Sequence, residues 1–122
     1  MKTILLVDDE QEIRDILKKK LTRSNYMVDI ASSGEEALSM CKSLRPDLVL
    51  LDIAMPAMDG YAVAIELKKQ EAYKNLPIIF LTAKELDPLA VNRRVGEIGA
   101  FGYMMKPCSF EDLLTKIKSA IG

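Results

Sequence analysis

Histidine and tryptophan are absent from this chain of 122 residues, and it has only two cysteines and three phenylalanines. The missing histidine excludes a Ser-His-Asp or Cys-His nucleophile pair, a histidine metal ligand and a histidine proton shuttle. Any chemistry must run on carboxylates, hydroxyls, lysines or backbone groups. Cys41 and Cys108 stand far apart and form no metal or redox spacing, so both are expected reduced, as small buried hydrophobes. No apolar run approaches the roughly 18 residues of a membrane span. The apolar opening that resembles a leader is cut short by Asp8-Asp9-Glu10. Charge of one sign is not in excess either. With 17 basic and 18 acidic residues the net charge is −1, without the basic stripe of a nucleic-acid binder. The expectation is a cytoplasmic protein with no membrane insertion and no direct nucleic-acid contact.

What is present is a core and a regular alternation. Hydrophobic residues make up 49% of the chain, enough for one ordinary domain over 1–122. Thr3–Val7 reads as a buried strand, followed by a helix over about 10–22 with Ile13, Ile16, Leu17 and Leu21 on one face. Tyr26–Ala31 is a second strand. Ser33 and Glu36 form a capping box for a helix ended by Arg45-Pro46. Asp47–Leu51 is a third strand, leading to Asp52, a loop, and a helix from Gly60 that is apolar at Tyr61, Ile65 and Leu67. Ile78–Leu81 is a fourth strand, stopping at Thr82. Asp87 caps a helix with Pro88 at its first position, an inner stripe of Val91, Val95 and Ile98, and Gly99 at its end. Phe101–Met105 is a fifth strand, and Ser109 caps a last helix that buries Phe110, Leu113, Leu114, Ile117 and Ile121.

Five strand–helix units predict an α/β fold, a parallel sheet covered on both faces. Right-handed crossovers favour the flavodoxin-like (βα)5 doubly wound arrangement, strand order 2-1-3-4-5. Its ligand crevice lies at the carboxyl ends of strands one and three. Asp8 and Asp9, Asp52, Thr82 and Lys106 are the polar residues at the ends of strands one, three, four and five. Each has a plain alternative: Asp9 as a helix cap completed by Glu12, Asp52 as a loop residue, Lys106 as a surface charge. Together they make a stronger case, because crowded acids repel unless something uses them. A hard cation such as Mg²⁺ relieves that repulsion and takes phosphate oxygen into its shell. No phosphate-binding glycine loop follows strand one, and the acidic turn has the wrong sign for a bound pyrophosphate. The set suits a metal plus one phosphoryl group, with Asp52 as oxygen nucleophile.

Leu5-Leu6-Val7-Asp8-Asp9-Glu10, Asp52 through Gly60, Thr82-Ala83 and Lys106-Pro107, in this order, resemble the receiver domain of two-component response regulators over essentially the whole chain. The resemblance implies a phosphoacceptor signalling switch, not a turnover enzyme, with Asp52 phosphorylated by a partner histidine kinase or His phosphotransfer protein. It implies Mg²⁺ held by Asp9, Asp52 and the Ala54 backbone carbonyl, with Asp8 acting through water. Lys106 would bridge to the phosphoryl group, and the Lys106–Pro107 bond would be cis. Thr82, Ala83 and Tyr103 would form the switch, acting on an output face of the fourth helix, fifth strand and last helix. That face carries exposed Arg93, Arg94, Lys116 and Lys118, which read first as solvated charges; the sharper reading is a docking face for a downstream protein target or a second copy in a phosphorylation-dependent homodimer. Ala54 and Lys84 stand where the phosphoryl lifetime is tuned, and alanine orients no hydrolytic water, so decay should not be especially fast.

Two departures fall on the output side: Ala100-Phe101-Gly102 where receivers often carry acids, and Cys108 where an aromatic often follows the Lys-Pro pair. The competing readings are an aspartate-based phosphatase or phosphotransferase, disfavoured by alanine at 54, and a receiver used only for docking, disfavoured by the complete site set. Whether the chain is a freestanding regulator or part of a longer one is open.

Overall fold

A computed structural model describes residues 1–82 and 86–122. The strands are β1 (Thr3–Val7), β2 (Met27–Ala31), β3 (Leu48–Asp52), β4 (Ile78–Thr82) and β5 (Gly102–Met105). The helices are α1 (Gln11–Arg23), α2 (Gly34–Leu44), α3 (Gly60–Lys68), α4 (Pro88–Ile98) and α5 (Phe110–Ile121). All strand pairs are parallel, in the order β2-β1-β3-β4-β5 expected from the alternation.

Strand periodicity divides the core into two layers. Leu5, Val7, Val49, Leu51, Ile78 and Phe80 face one way, onto Ala37 and Cys41 of α2, Val63, Ala64 and Leu67 of α3, and Val91 and Val95 of α4. Ile4, Leu6, Leu48, Leu50, Ile79 and Leu81 face the other way, onto Leu21 of α1 and Leu113 and Ile117 of α5. Because β1, β3 and β4 are covered on both sides, they read as continuous apolar runs.

Several helix ends follow the local signals. Ser33, Asp87 and Ser109 accept from the backbone N–H of Glu36, Leu89 and Asp112, and Gly99 closes α4 at φ 84°. Other expectations are corrected. Glu36 returns its carboxylate to the N–H of Ser32, not of Ser33. Ile16 is 55% exposed, so the buried stripe of α1 is narrower than its periodicity suggests. In α3, Val63 and Ala64 are buried deeper than Tyr61 and Ile65. Phe101 is exposed and precedes β5. Cys41 is buried, but Cys108 is exposed, because it follows the Lys106–Pro107 turn and precedes the α5 cap. Both thiols are free.

Candidate functional site

Each site side chain stands where a buried strand runs out. Asp52 closes β3 at 4% exposure, Asp8 follows β1 at 0%, and Thr82 closes β4 at 0%. They are the only buried polar or charged residues among those described. Lys106 follows β5, and its backbone N–H donates to the Thr82 carbonyl at 2.7 Å, which ties the fifth strand end to the fourth.

The Lys106 ammonium donates to Asp8 Oδ2 at 2.9 Å and lies 3.7 Å from Asp52 Oδ1. It is therefore no free surface charge: burial alone would lower its pKa. The hydrogen bond it donates to Asp8 and the charges of Asp8, Asp52 and Glu10 outweigh that and hold it above the ordinary lysine value. Asp52 is pushed up to about 6, first by burial and then by the charge of Asp8, with Lys106 pulling the other way. A carboxylate held near neutrality in a cleft is poised to change charge or acquire a ligand.

Asp9 does not cap α1. The cap position is Glu10, without a side-chain bond, and its N–H donates instead to Asp8 Oδ1 at 2.9 Å. The geometry is that of an Asx turn: the buried Asp8 carboxylate accepts from the N–H two residues on, and Asp9 stays exposed. Carboxylate oxygens of Asp8, Asp9 and Glu10 lie within 4.8 Å of one another. An all-oxygen donor set of this charge fits a hard divalent cation. Glu10 and Arg14, whose guanidinium donates to the Asp8 carbonyl at 2.6 Å, are missing from the sequence-based site. The signal for Arg14 is a lone arginine beside Ile13, at the margin of the apolar stripe.

The loop from Ile53 to Asp59 leaves Ala54 exposed next to Asp52. It is closed by the Asp59 carboxylate, which accepts from the Ala62 N–H at 2.9 Å, and by the Gly60 N–H, which donates to the Ile53 carbonyl at 2.9 Å. Ala57 adopts φ 66°, a left-handed conformation that is strained for an L side chain. Ala57→Gly is expected to stabilise the protein by about 0.5–1 kcal/mol, the relieved strain exceeding the added unfolded-state freedom. Chemical denaturation with an unchanged m value checks this.

The Lys106–Pro107 peptide bond is cis. Thr82 Oγ1 is buried and has no hydrogen-bond partner among the described residues. Ala83 and Lys84 lie outside the described residues. Tyr103, on β5, is half-buried and packs against the layer that holds α2, α3 and α4. Arg94 is not simply solvated: its guanidinium lies 4.8 Å from the centre of the Tyr61 ring, which meets Phe80 edge-on. Lys116 is half-buried over Gly102, where a Cβ would meet its Cε at 2.8 Å, whereas Arg93 and Lys118 are exposed. Beside the site a cavity of about 590 Å³ opens between α1 and α5, lined by Asp52, Ala54, Lys106, Ile16, Leu17 and Phe110 among others.

Known proteins share this fold. The family model described as "Response regulator receiver domain" matches residues 4–118. A probable transcriptional regulator, ycf27, of Porphyra purpurea is 45% identical over 118 residues, 97% of this chain and 46% of the relative. The alkaline phosphatase synthesis transcriptional regulatory protein PhoP of Bacillus subtilis is 40% identical over 98% of this chain and 48% of its own length. The chain thus spans about half the length of the curated relatives it matches. Among solved structures, the chemotaxis protein CheY4 of Vibrio cholerae superposes with a TM-score of 0.92 at 31% identity, covering 99% of both chains. The response regulator TrrA of Thermotoga maritima, solved in complex with Mg(2+)-BeF, gives 0.86 at 40% identity, over 99% of this chain and 100% of that one. The match in sequence along nearly the whole chain, on the same five-stranded frame, means that this chain belongs to the receiver domains of response regulators, the signalling switches of two-component systems.

Proposed function

We propose that residues 1–122 act as one receiver domain in which Asp52 accepts a phosphoryl group from a phosphohistidine on a partner kinase or phosphotransfer protein. The observation that carries this reading is the buried carboxylate of Asp52, raised to about 6 and facing the Lys106 ammonium at 3.7 Å. An Asp52 oxygen attacks phosphorus, the P–N bond to the partner's imidazole breaks, and the imidazole leaves with a proton from solvent. Lys106 neutralises the gathering oxygens as a point charge. The cavity between α1 and α5 gives the partner's side chain a way in to Asp52.

Asp9, Asp52 and the Ala54 carbonyl would hold Mg²⁺, with Asp8 reaching it through water. When bound, the ion offsets the crowded carboxylates and the charge on the transferred group. The oxygen-rich turn at Asp8, Asp9 and Glu10 supports that role, and TrrA in complex with Mg(2+)-BeF is a precedent in the family. The Thr82 hydroxyl, buried without a partner among the described residues, is available to a phosphoryl oxygen. With Ala83 it would draw the following loop inward, and Tyr103 would turn into the space behind Thr82. Output would pass through α4, β5 and α5 to a downstream protein or a second copy of the chain, in the cytoplasm, by a bias between two pre-existing states. Among the described residues no helix is long and apolar enough to cross a membrane.

Incubation with a small-molecule phosphodonor and Mg²⁺ tests the reading. Wild type is expected to gain one acid-labile phosphoryl group by mass, and Asp52→Asn none. Full labelling of the variant would refute it.

A further inference from the structure

The turn between β1 and α1 presents three carboxylates close together, and their repulsion favours opening it. A closed circuit of hydrogen bonds resists that. The Glu10 N–H donates to Asp8 Oδ1 at 2.9 Å, the Arg14 N–H donates to the Glu10 carbonyl at 3.2 Å, and Arg14 Nη1 donates to the Asp8 carbonyl at 2.6 Å. Asp9 is the residue spanned by the circuit. The Asp8 N–H, bound to the Ala31 carbonyl at 3.2 Å, anchors it to β2. Arg14 is half-buried and forms no ion pair with a carboxylate among the described residues, despite three acids nearby. Its guanidinium is committed to a main-chain oxygen.

We infer that Arg14 is a positioning residue for the cation site: by clamping the Asp8 carbonyl it holds the turn in the conformation that keeps the carboxylates of Asp8, Asp9 and Glu10 within 4.8 Å of one another. The inference rests on the reading of Asp9 and Asp52 as ligands given above. Two effects of removing Arg14 oppose each other. Loss of a positive charge near the site favours a cation. Loss of the clamp disfavours it, because the turn must then be ordered on binding. If Arg14 acted only through its charge, Arg14→Ala would bind Mg²⁺ more tightly.

Calorimetric titration of the metal-free protein with Mg²⁺ separates these. Arg14→Ala is expected to weaken binding about tenfold, the lower range for loss of a residue that orients a ligand. Arg14→Lys, which keeps a donor on a long stem, is expected to restore most of the loss. Arg23→Ala, which removes an exposed charge from the last turn of the same helix, is expected to leave affinity unchanged. Thermal unfolding without metal establishes that each variant is folded. Binding by Arg14→Ala as tight as wild type or tighter overturns the inference, as does an Arg14→Lys protein as weak as Arg14→Ala. Wild-type protein that fails to bind Mg²⁺ overturns the reading of the site, and the inference with it.

Discussion

Asp52→Asn is expected to stabilise the metal-free protein at pH 7 by about 1–3 kcal/mol. The carboxyl is raised from 3.8 to about 6 in the fold, chiefly by burial and by Asp8. Above pH 6 the folded protein therefore carries an ionised group that the unfolded chain holds more comfortably, a penalty of roughly 3 kcal/mol at the upper limit. The sign follows from proton counting. Between about pH 4 and 6 the folded state binds more protons than the unfolded state, so this group's contribution falls as pH rises and is most favourable below pH 4. Asparagine carries no charge to desolvate. Part of its advantage is lost because its amide cannot accept on both sides beside Lys106. The measurement is denaturant unfolding without divalent metal at pH 4, 5, 6 and 7. The gap between variant and wild type should be small at pH 4 and widen through pH 6. A gap that stayed constant with pH would show that Asp52 is not strained by its charge. Adding Mg²⁺ at about ten times its dissociation constant should then stabilise wild type by about 1.4 kcal/mol and narrow the difference.

The second large effect is expected at Gly60. A Cβ there would lie 2.3 Å from the carbonyl oxygen of Asp52 and 2.8 Å from Cα of Ile53. Both are backbone atoms at the strand end that carries Asp52, so nothing flexible can move aside. Gly60→Ala must push the start of α3 away from β3, with a loss of about 3 kcal/mol or more and displacement of Asp52. Two other glycines calibrate this. At Gly34 the nearest atom is a methyl of Val63 at 2.7 Å, which can shift, so alanine should cost less. At Gly96, inside α4, nothing lies within 4 Å, and alanine should stabilise by about 0.5–1 kcal/mol through helix propensity. Thermal unfolding of the three variants side by side checks the order. A Gly60→Ala protein as stable as wild type would mean that the close approach of helix and strand is not required.

Fold and candidate site were legible to different depths. The apolar runs of β1, β3 and β4 need no context, because a strand covered on both faces is apolar throughout and announces itself. The caps at Ser33, Asp87 and Ser109 are equally local, each a side chain meeting an amide two or three residues on. The strand-end residues were legible as a set, since a parallel sheet sends every carboxyl end to the same rim.

Four features required the folded chain. The first helix looked capped by Asp9, and only the burial of Asp8 shows which carboxylate takes the Glu10 amide. Cys108 has the composition of a core residue but sits on the surface, because the turn at Lys106–Pro107 carries it outward. Arg94 and Lys116 have the spacing of solvated charges yet lie over Tyr61 and Gly102, neighbours from other elements that no local pattern reveals.

By itself, the sequence determined the alternation of strands and helices, the strand order it implies, and the residue types available for chemistry, with histidine excluded. Periodicity, propensity and composition act over a few residues and are written in the chain. The tertiary structure alone decided which acid is buried, which carboxylate oxygen lies nearest the Lys106 ammonium, and that Arg14 secures the acidic turn. These depend on distances between groups up to 98 positions apart, as for Lys106 and Asp8. They also depend on desolvation, which exists only once the core has closed around them.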